Sequence, residues 1–104
     1  MEKGYKCILA IVNNGFAEEA MDAARAAGAR GGTILHGRGT MSKEAEKFFN
    51  ITIQPEKEIV MILAMAERAD AILSALYRAI GTSTNAQGIA FALPVDEAMG
   101  LGGK

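Results

Sequence analysis

The sequence is poor in the residue types that build reactive centres and metal sites. It holds one cysteine, Cys7, and one histidine, His36, in 104 residues. A single cysteine closes no internal disulfide, and this pair falls short of the four protein ligands of a closed zinc site, so no metal is expected. Cys7 stands inside an apolar run, where an inert buried thiol is the expected state. No apolar stretch reaches the roughly 20 residues that span a bilayer. Met1 to Lys6 lacks the charged-then-apolar layout of a signal peptide, and the expectation is a cytoplasmic protein without membrane insertion. An excess of one charge is missing too: eleven basic and twelve acidic residues leave a formal net charge of −1. No basic run is dense enough to neutralise a row of phosphates, and nucleic acid is not an expected partner. Nor are a nucleophile, a base and an orienting group spaced as a catalytic set, which argues against an enzyme.

What the chain does have is apolar periodicity. Half of its positions are hydrophobic, enough for one core and one domain, taken as residues 1–99 with a flexible tail at 100–104. A domain of this size leaves much of its surface unburied, and an interface between copies would add stability. Tyr5 to Val12 (YKCILAIV), followed by the turn formers Asn13, Asn14 and Gly15, predicts a buried first strand. Phe16, Ala20, Ala24 and Ala27 recur at helical spacing, with Glu18 and Glu19 at the helix start and Gly28 as the stop. Thr33 to Leu35 predicts a second, short strand ended by Gly37-Arg38-Gly39, since two glycines disfavour regular structure. Polar residues then open a long loop that closes near Pro55, with a turn or two of helix predicted over Lys43 to Phe49. Glu58 to Met65 reads as a third strand, Ala66 to Ile80 as a second amphipathic helix closed by Gly81, and Ile89 to Val95 as a last strand limited by Pro94. The order strand, helix, strand, loop, strand, helix, strand is the split βαβ pattern. It predicts an α/β ferredoxin-like fold, an antiparallel sheet with two helices on one face.

On this order, the stretches Gly31-Gly32-Thr33-Ile34, Gly37-Arg38-Gly39, EKEIVMIL at Glu56 to Leu63 and GIAFALPV at Gly88 to Val95 resemble the PII nitrogen-regulatory signal-transduction family over nearly the whole chain. The resemblance implies a homotrimer that binds an adenine nucleotide (ATP, ADP or AMP), and often 2-oxoglutarate, in clefts between subunits. It also implies a switch loop, here Gly37 to Lys57, that docks on a regulated transporter or enzyme, and a phosphate-facing loop, here Thr82 to Gly88. Where the family's phosphate loop resembles Gly-Asp-Gly-Lys, this chain reads Ala86-Gln87-Gly88-Ile89. Where the family places arginines after the fourth strand, it reads Val95-Asp96-Glu97-Ala98-Met99, whose carboxylates would repel a polyphosphate. The resemblance thus leaves two further readings open: a trimeric interaction protein that has lost nucleotide binding, or a sensor of another small anion.

The candidate residues follow from both lines of reading. Arg38, between Gly37 and Gly39, suits an anion held in a backbone nest, or else is a solvated turn residue. Thr33 is a candidate contact to a nucleobase through the resemblance, and an ordinary strand residue otherwise. Thr82, Ser83 and Thr84 offer hydroxyls beside Gly88, to a polar ligand or simply to a turn. His36 closes an apolar strand, and a structural or solvated role is the expectation for it. Phe48 and Phe49, adjacent aromatics in a polar loop, suit a partner-docking anchor or fold back on the sheet. An acylphosphatase of the same fold would need a string such as Gly-x-Val-Gln-Gly-Val-x-Phe-Arg, which does not occur.

Overall fold

The computed structural model describes residues 3–49, with Phe49 by its backbone alone, and residues 54–101. Four strands, β1 (Tyr5–Asn13), β2 (Thr33–Arg38), β3 (Glu56–Met65) and β4 (Ile89–Val95), form one sheet in the order β2-β3-β1-β4. Every neighbouring pair is antiparallel. Helices α1 (Ala17–Ala26) and α3 (Ala69–Ile80) connect the strands, and a short α2 (Lys43–Phe49) lies between β2 and β3. This is the mixed α/β, split βαβ arrangement that the sequence predicts.

Alternation along the central strands decides which face meets the helices. Ile8, Ala10 and Val12 pair across β1 and β3 with Ile62, Val60 and Glu58. The five apolar members of this set are fully buried, together with Ala20 and Ala24 of α1 and Ile72 and Leu76 of α3. Burying each large aliphatic side chain there contributes roughly 1.5–3 kcal/mol. The small residues of α1 let the helix come close to the sheet, while the longer side chains of α3 fill the remaining space.

The opposite sheet face is apolar as well, yet nothing among the described residues covers it. Cys7, Leu9 and Ile11 of β1 stand between Ile59, Met61 and Leu63 of β3 and Ile89, Phe91 and Leu93 of β4. Leu35, Leu63, Ile89, Phe91 and Leu93 are each 40–53% exposed. Cys7 is half-buried, so the inert, enclosed thiol expected from the sequence is only partly realised within one chain.

Several boundaries differ from the sequence reading. β2 does not stop before the glycines but runs through Gly37 and Arg38, which pair with Lys57 and Glu56 of β3. The partner strand supplies the register that two glycines alone would not favour. The third strand accordingly starts two residues early, at Glu56. Ala66 to Arg68 is a 3-10 turn rather than the first turn of α3. Pro94 does not limit β4, which carries it at an edge of the sheet where a missing N–H is tolerated. Of the expected tail, Gly100 and Leu101 are described, and residues 102–104 lie outside the described residues.

Candidate functional site

The end of the sheet where β1 finishes and β3 begins gathers the bases of both long loops. Asn13 is the junction. Its amide N–H donates to the Ala86 carbonyl at 2.9 Å. Its side-chain Nδ2 donates to the Asn85 carbonyl at 3.1 Å and more weakly to Gln87 Oε1 at 3.4 Å. Its Oδ1 accepts from Lys57 Nζ at 2.7 Å. Asn13 is only 7% exposed, and these bonds, with its carbonyl accepting from Phe16 N at 3.2 Å, explain how a polar group is kept there.

The loop between β2 and β3 is pinned at its mouth. Gly39 N donates to the Pro55 carbonyl at 2.7 Å, and Asn14 N to the Glu56 carbonyl at 3.1 Å. Lys57 reaches Asn13 by lying along Gly39, where an added Cβ would sit 2.8 Å from Lys57 Cε. Gly37 likewise leaves room for Ile59, whose Cδ1 would lie 3.0 Å from a Cβ there. Both glycines therefore serve close side-chain approach. The anion nest expected around Arg38 does not form: neither glycine has a positive φ, because Gly37 and Arg38 are held in the ladder with β3. Arg38 is exposed and forms no ion pair among the described residues.

The Thr82 to Gly88 loop is internally bonded. Thr84 Oγ1 and Thr84 N both donate to the Gly81 carbonyl, at 2.7 and 3.0 Å. Gln87 N donates to the Thr84 carbonyl at 3.0 Å and Gly88 N to the Ile80 carbonyl at 2.6 Å. An added Cβ at Gly88 would lie 2.3 Å from the Ile80 carbonyl oxygen, so this glycine is required by packing at the end of α3. Thr82 and Ser83 remain exposed. A cleft of about 400 Å³ opens between the two loop bases, walled by Asn13, Asn14 and Phe16 on one side, Gln54, Pro55 and Glu56 on another, and Asn85.

Glu58 supplies the entry to α1. Its Oε1 accepts from Gly15 N and Ala17 N, both at 2.9 Å. Phe16, at the cap position, has no side-chain acceptor of its own, so a carboxylate from β3 stabilises the helix N-terminus in its place.

The structure thus brings Gly37, Arg38 and Gly39 to the same end of the sheet as Thr82, Ser83, Thr84 and Gly88. Thr33 is not among them. It starts β2 beside Met61, roughly 16 Å from Arg38 along a six-residue strand at about 3.3 Å per residue. Phe48 is exposed on α2, whose start is capped by Ser42 Oγ accepting from Ala45 N at 3.0 Å. The Phe49 side chain and residues 50–53 of the expected docking loop lie outside the described residues. Asn13, Lys57 and Glu58 are the residues that sequence reasoning missed. Their one signal was a polar residue ending an apolar strand opposite a Lys-Glu pair.

Residues 5–101 match the family model described as nitrogen regulatory protein P-II. None of the curated proteins matches the chain. Among solved structures, the Arabidopsis thaliana PII bound to citrate is 18% identical and has a TM-score of 0.71, covering 96% of this chain and 82% of its own. A functionally unknown protein from Pediococcus pentosaceus is 19% identical with a TM-score of 0.66, covering 93% of this chain and 97% of its own. At these identities the two structures show a shared fold.

Proposed function

Since the chain belongs to the nitrogen regulatory protein P-II family, whose members are regulators and typically trimeric, we propose that it is a small-effector signal regulator acting through the 37–57 loop. The effector, an adenine nucleotide in the first instance, binds at the loop end of the sheet in a cleft completed by a neighbouring subunit. There Arg38 and the hydroxyls of Thr82 and Ser83 are its candidate contacts. Thr33 contributes from a neighbouring copy or meets a distal part of the ligand. The partner, a transporter or an enzyme, is engaged through the loop carrying Phe48 and Phe49. The setting is cytoplasmic, and no catalytic step is involved.

The observation that carries this reading is the Asn13 junction. One buried amide touches the base of each loop, so a ligand that shifts Asn85 to Gln87 acts on Lys57 through hydrogen bonds alone. Such a ligand moves the loop only by its differential affinity for the two arrangements. The uncovered apolar sheet face supports the trimer, because an exposed patch of this extent is removed from water when copies associate through it.

A second reading has its own support. Gly88 N is already committed to the Ile80 carbonyl, and exposed Asp96 and Glu97 occupy the stretch after β4 where the family resemblance calls for arginines. Loss of nucleotide binding with retention of the fold fits both facts, as does an effector with fewer phosphates or with carboxylates, such as the citrate bound to the Arabidopsis thaliana PII. Calorimetric titration with ATP, ADP and AMP separates the cases. Saturable binding of any of the three, weakened by R38Q, supports the nucleotide reading; heat indistinguishable from dilution for all three leaves the interaction protein or another anion.

A further inference from the structure

The strand that closes the switch loop is tied to two parts of the molecule by consecutive side chains. Side chains alternate across a strand, so Lys57 and Glu58 leave β3 on opposite faces of the sheet. Lys57 Nζ donates to Asn13 Oδ1 at 2.7 Å, and Glu58 Oε1 accepts from Gly15 N and Ala17 N, both at 2.9 Å. The two residues are the register partners of Asn13 and Val12, on the last rungs of the ladder between β1 and β3. One residue further out, Glu56 pairs with Arg38 of β2, and the Pro55 carbonyl holds Gly39 N at 2.7 Å. The loop mouth, the ladder end and the start of α1 therefore meet on one short piece of β3, Glu56 to Glu58.

α1 depends on that piece for its entry. Phe16 at the cap position offers no side-chain acceptor, and no carbonyl among the described residues takes the Gly15 or Ala17 amide hydrogen. Gly15 has φ +100, with nothing within 4 Å of an added Cβ, so the turn into α1 is held by hydrogen bonds rather than by packing at this residue. Both bonds from Glu58 end on a single carboxylate oxygen, and one displacement of that group releases two donors together. The first turn that it holds buries Ala17 and Ala20 in the core and leaves Glu18 and Glu19 exposed on the outer side of the helix layer.

We propose that α1 is a second output of the switch loop. Peeling Glu56 to Glu58 away from β1 draws the Glu58 carboxylate off Gly15 and Ala17, and loosens the first turn of α1 as it frees Lys57 from Asn13. This rests on the proposed switch loop only for the motion that drives it; the ties themselves need no effector, and the coupling runs in both directions. The test is amide hydrogen exchange of the full chain without effector, comparing wild type with K57M, G39A, E58A and the core control I72V. K57M keeps the side-chain stem and removes the ammonium, and G39A sets a Cβ 2.8 Å from Lys57 Cε; neither alters a group bonded to α1. E58A should quicken exchange at Gly15 to Ala20 by roughly 3- to 30-fold, the loss of an N-cap, and should quicken Gly39 and Lys57 too. K57M and G39A should quicken Gly39 and, by roughly 2- to 10-fold, Gly15 to Ala20, while Ala24 to Ala27 keep wild-type rates. I72V removes neither tie and should favour no segment. The proposal is overturned by faster exchange confined to Gly15 to Ala20 in E58A, by faster exchange confined to the loop mouth in both K57M and G39A, or by a matching rise at Gly15 to Ala20 in I72V. Calorimetric titration reads effector binding separately, so a chain that binds no nucleotide is distinguishable from one that lacks this coupling.

Discussion

Lys57 Nζ donates to Asn13 Oδ1 at 2.7 Å, between two residues that are register partners across β1 and β3. The contact matters because Asn13 also holds the Asn85 carbonyl and, through its backbone, that of Ala86. A polar residue that ends a buried strand would be costly if unpaired. Here its pairing makes the end of β1 the common anchor of two otherwise separate loops.

Replacing that junction should loosen both loops together. N13A removes the Lys57 and Asn85 bonds while keeping the backbone bond to Ala86. A loss of about 1 kcal/mol is expected from removing hydrogen bonds to the half-buried Lys57 and the exposed Asn85, which lowers Tm by several degrees in a domain of this size. Hydrogen exchange should quicken in residues 54–57 and 82–88 in the same variant. Faster exchange in only one of the two segments would show that Asn13 does not couple them.

Glycine substitutions should separate packing glycines from permissive ones. G88A places a Cβ 2.3 Å from the Ile80 carbonyl oxygen, against backbone that cannot swing away, whereas Gly31 has nothing within 4 Å of a Cβ and no positive φ. Urea titration is expected to show G88A less stable by about 2 kcal/mol or more, and G31A within about 0.5 kcal/mol of wild type. Equal midpoints for the two variants would contradict the packing argument, and with it the reading of Gly88 as a structural residue.

The element order was legible because each periodic run is short, strong and bounded by Gly, Asn or Pro. The ends were less so. Gly37 and Arg38 join β2 only because Lys57 and Glu56 stand opposite them, a pairing that local propensity does not contain. The site was legible in part: the loops at 37–57 and 82–88 could be marked by composition, but not Asn13, whose role depends on residues 44 to 74 positions away. Glu58 is similar. A carboxylate in a strand gives no local sign that it caps a helix 41 positions earlier.

The Glu58 cap leads to a graded expectation. E58A removes the acceptor for Gly15 N and Ala17 N, and should cost about 1–2 kcal/mol, the usual effect of losing an N-cap. E58Q keeps an oxygen in the same place but gives up the charge that suits the helix dipole, a smaller loss of about 0.3–1 kcal/mol. Thermal melts of the two variants should rank E58A below E58Q and both below wild type. If E58Q proved as damaging as E58A, charge rather than the hydrogen bonds would dominate.

The uncovered sheet face gives the last expectation. Leu63 and Leu93 flank Cys7 in register on β3 and β4, and are 40% and 45% exposed in the single chain. Neither touches the helix side of the sheet, so a charge at either position is solvated in the monomer and buried, unpaired, in an assembly built on this face. Such burial costs several kcal/mol per ion, repeated in every subunit. L63E and L93E should therefore dissociate the proposed trimer while leaving the circular dichroism of the chain native-like, with light scattering coupled to size-exclusion reading the mass of wild type and variants. An oligomer of unchanged mass in both variants would place the interface elsewhere, and would leave the apolar face to be covered by a different partner.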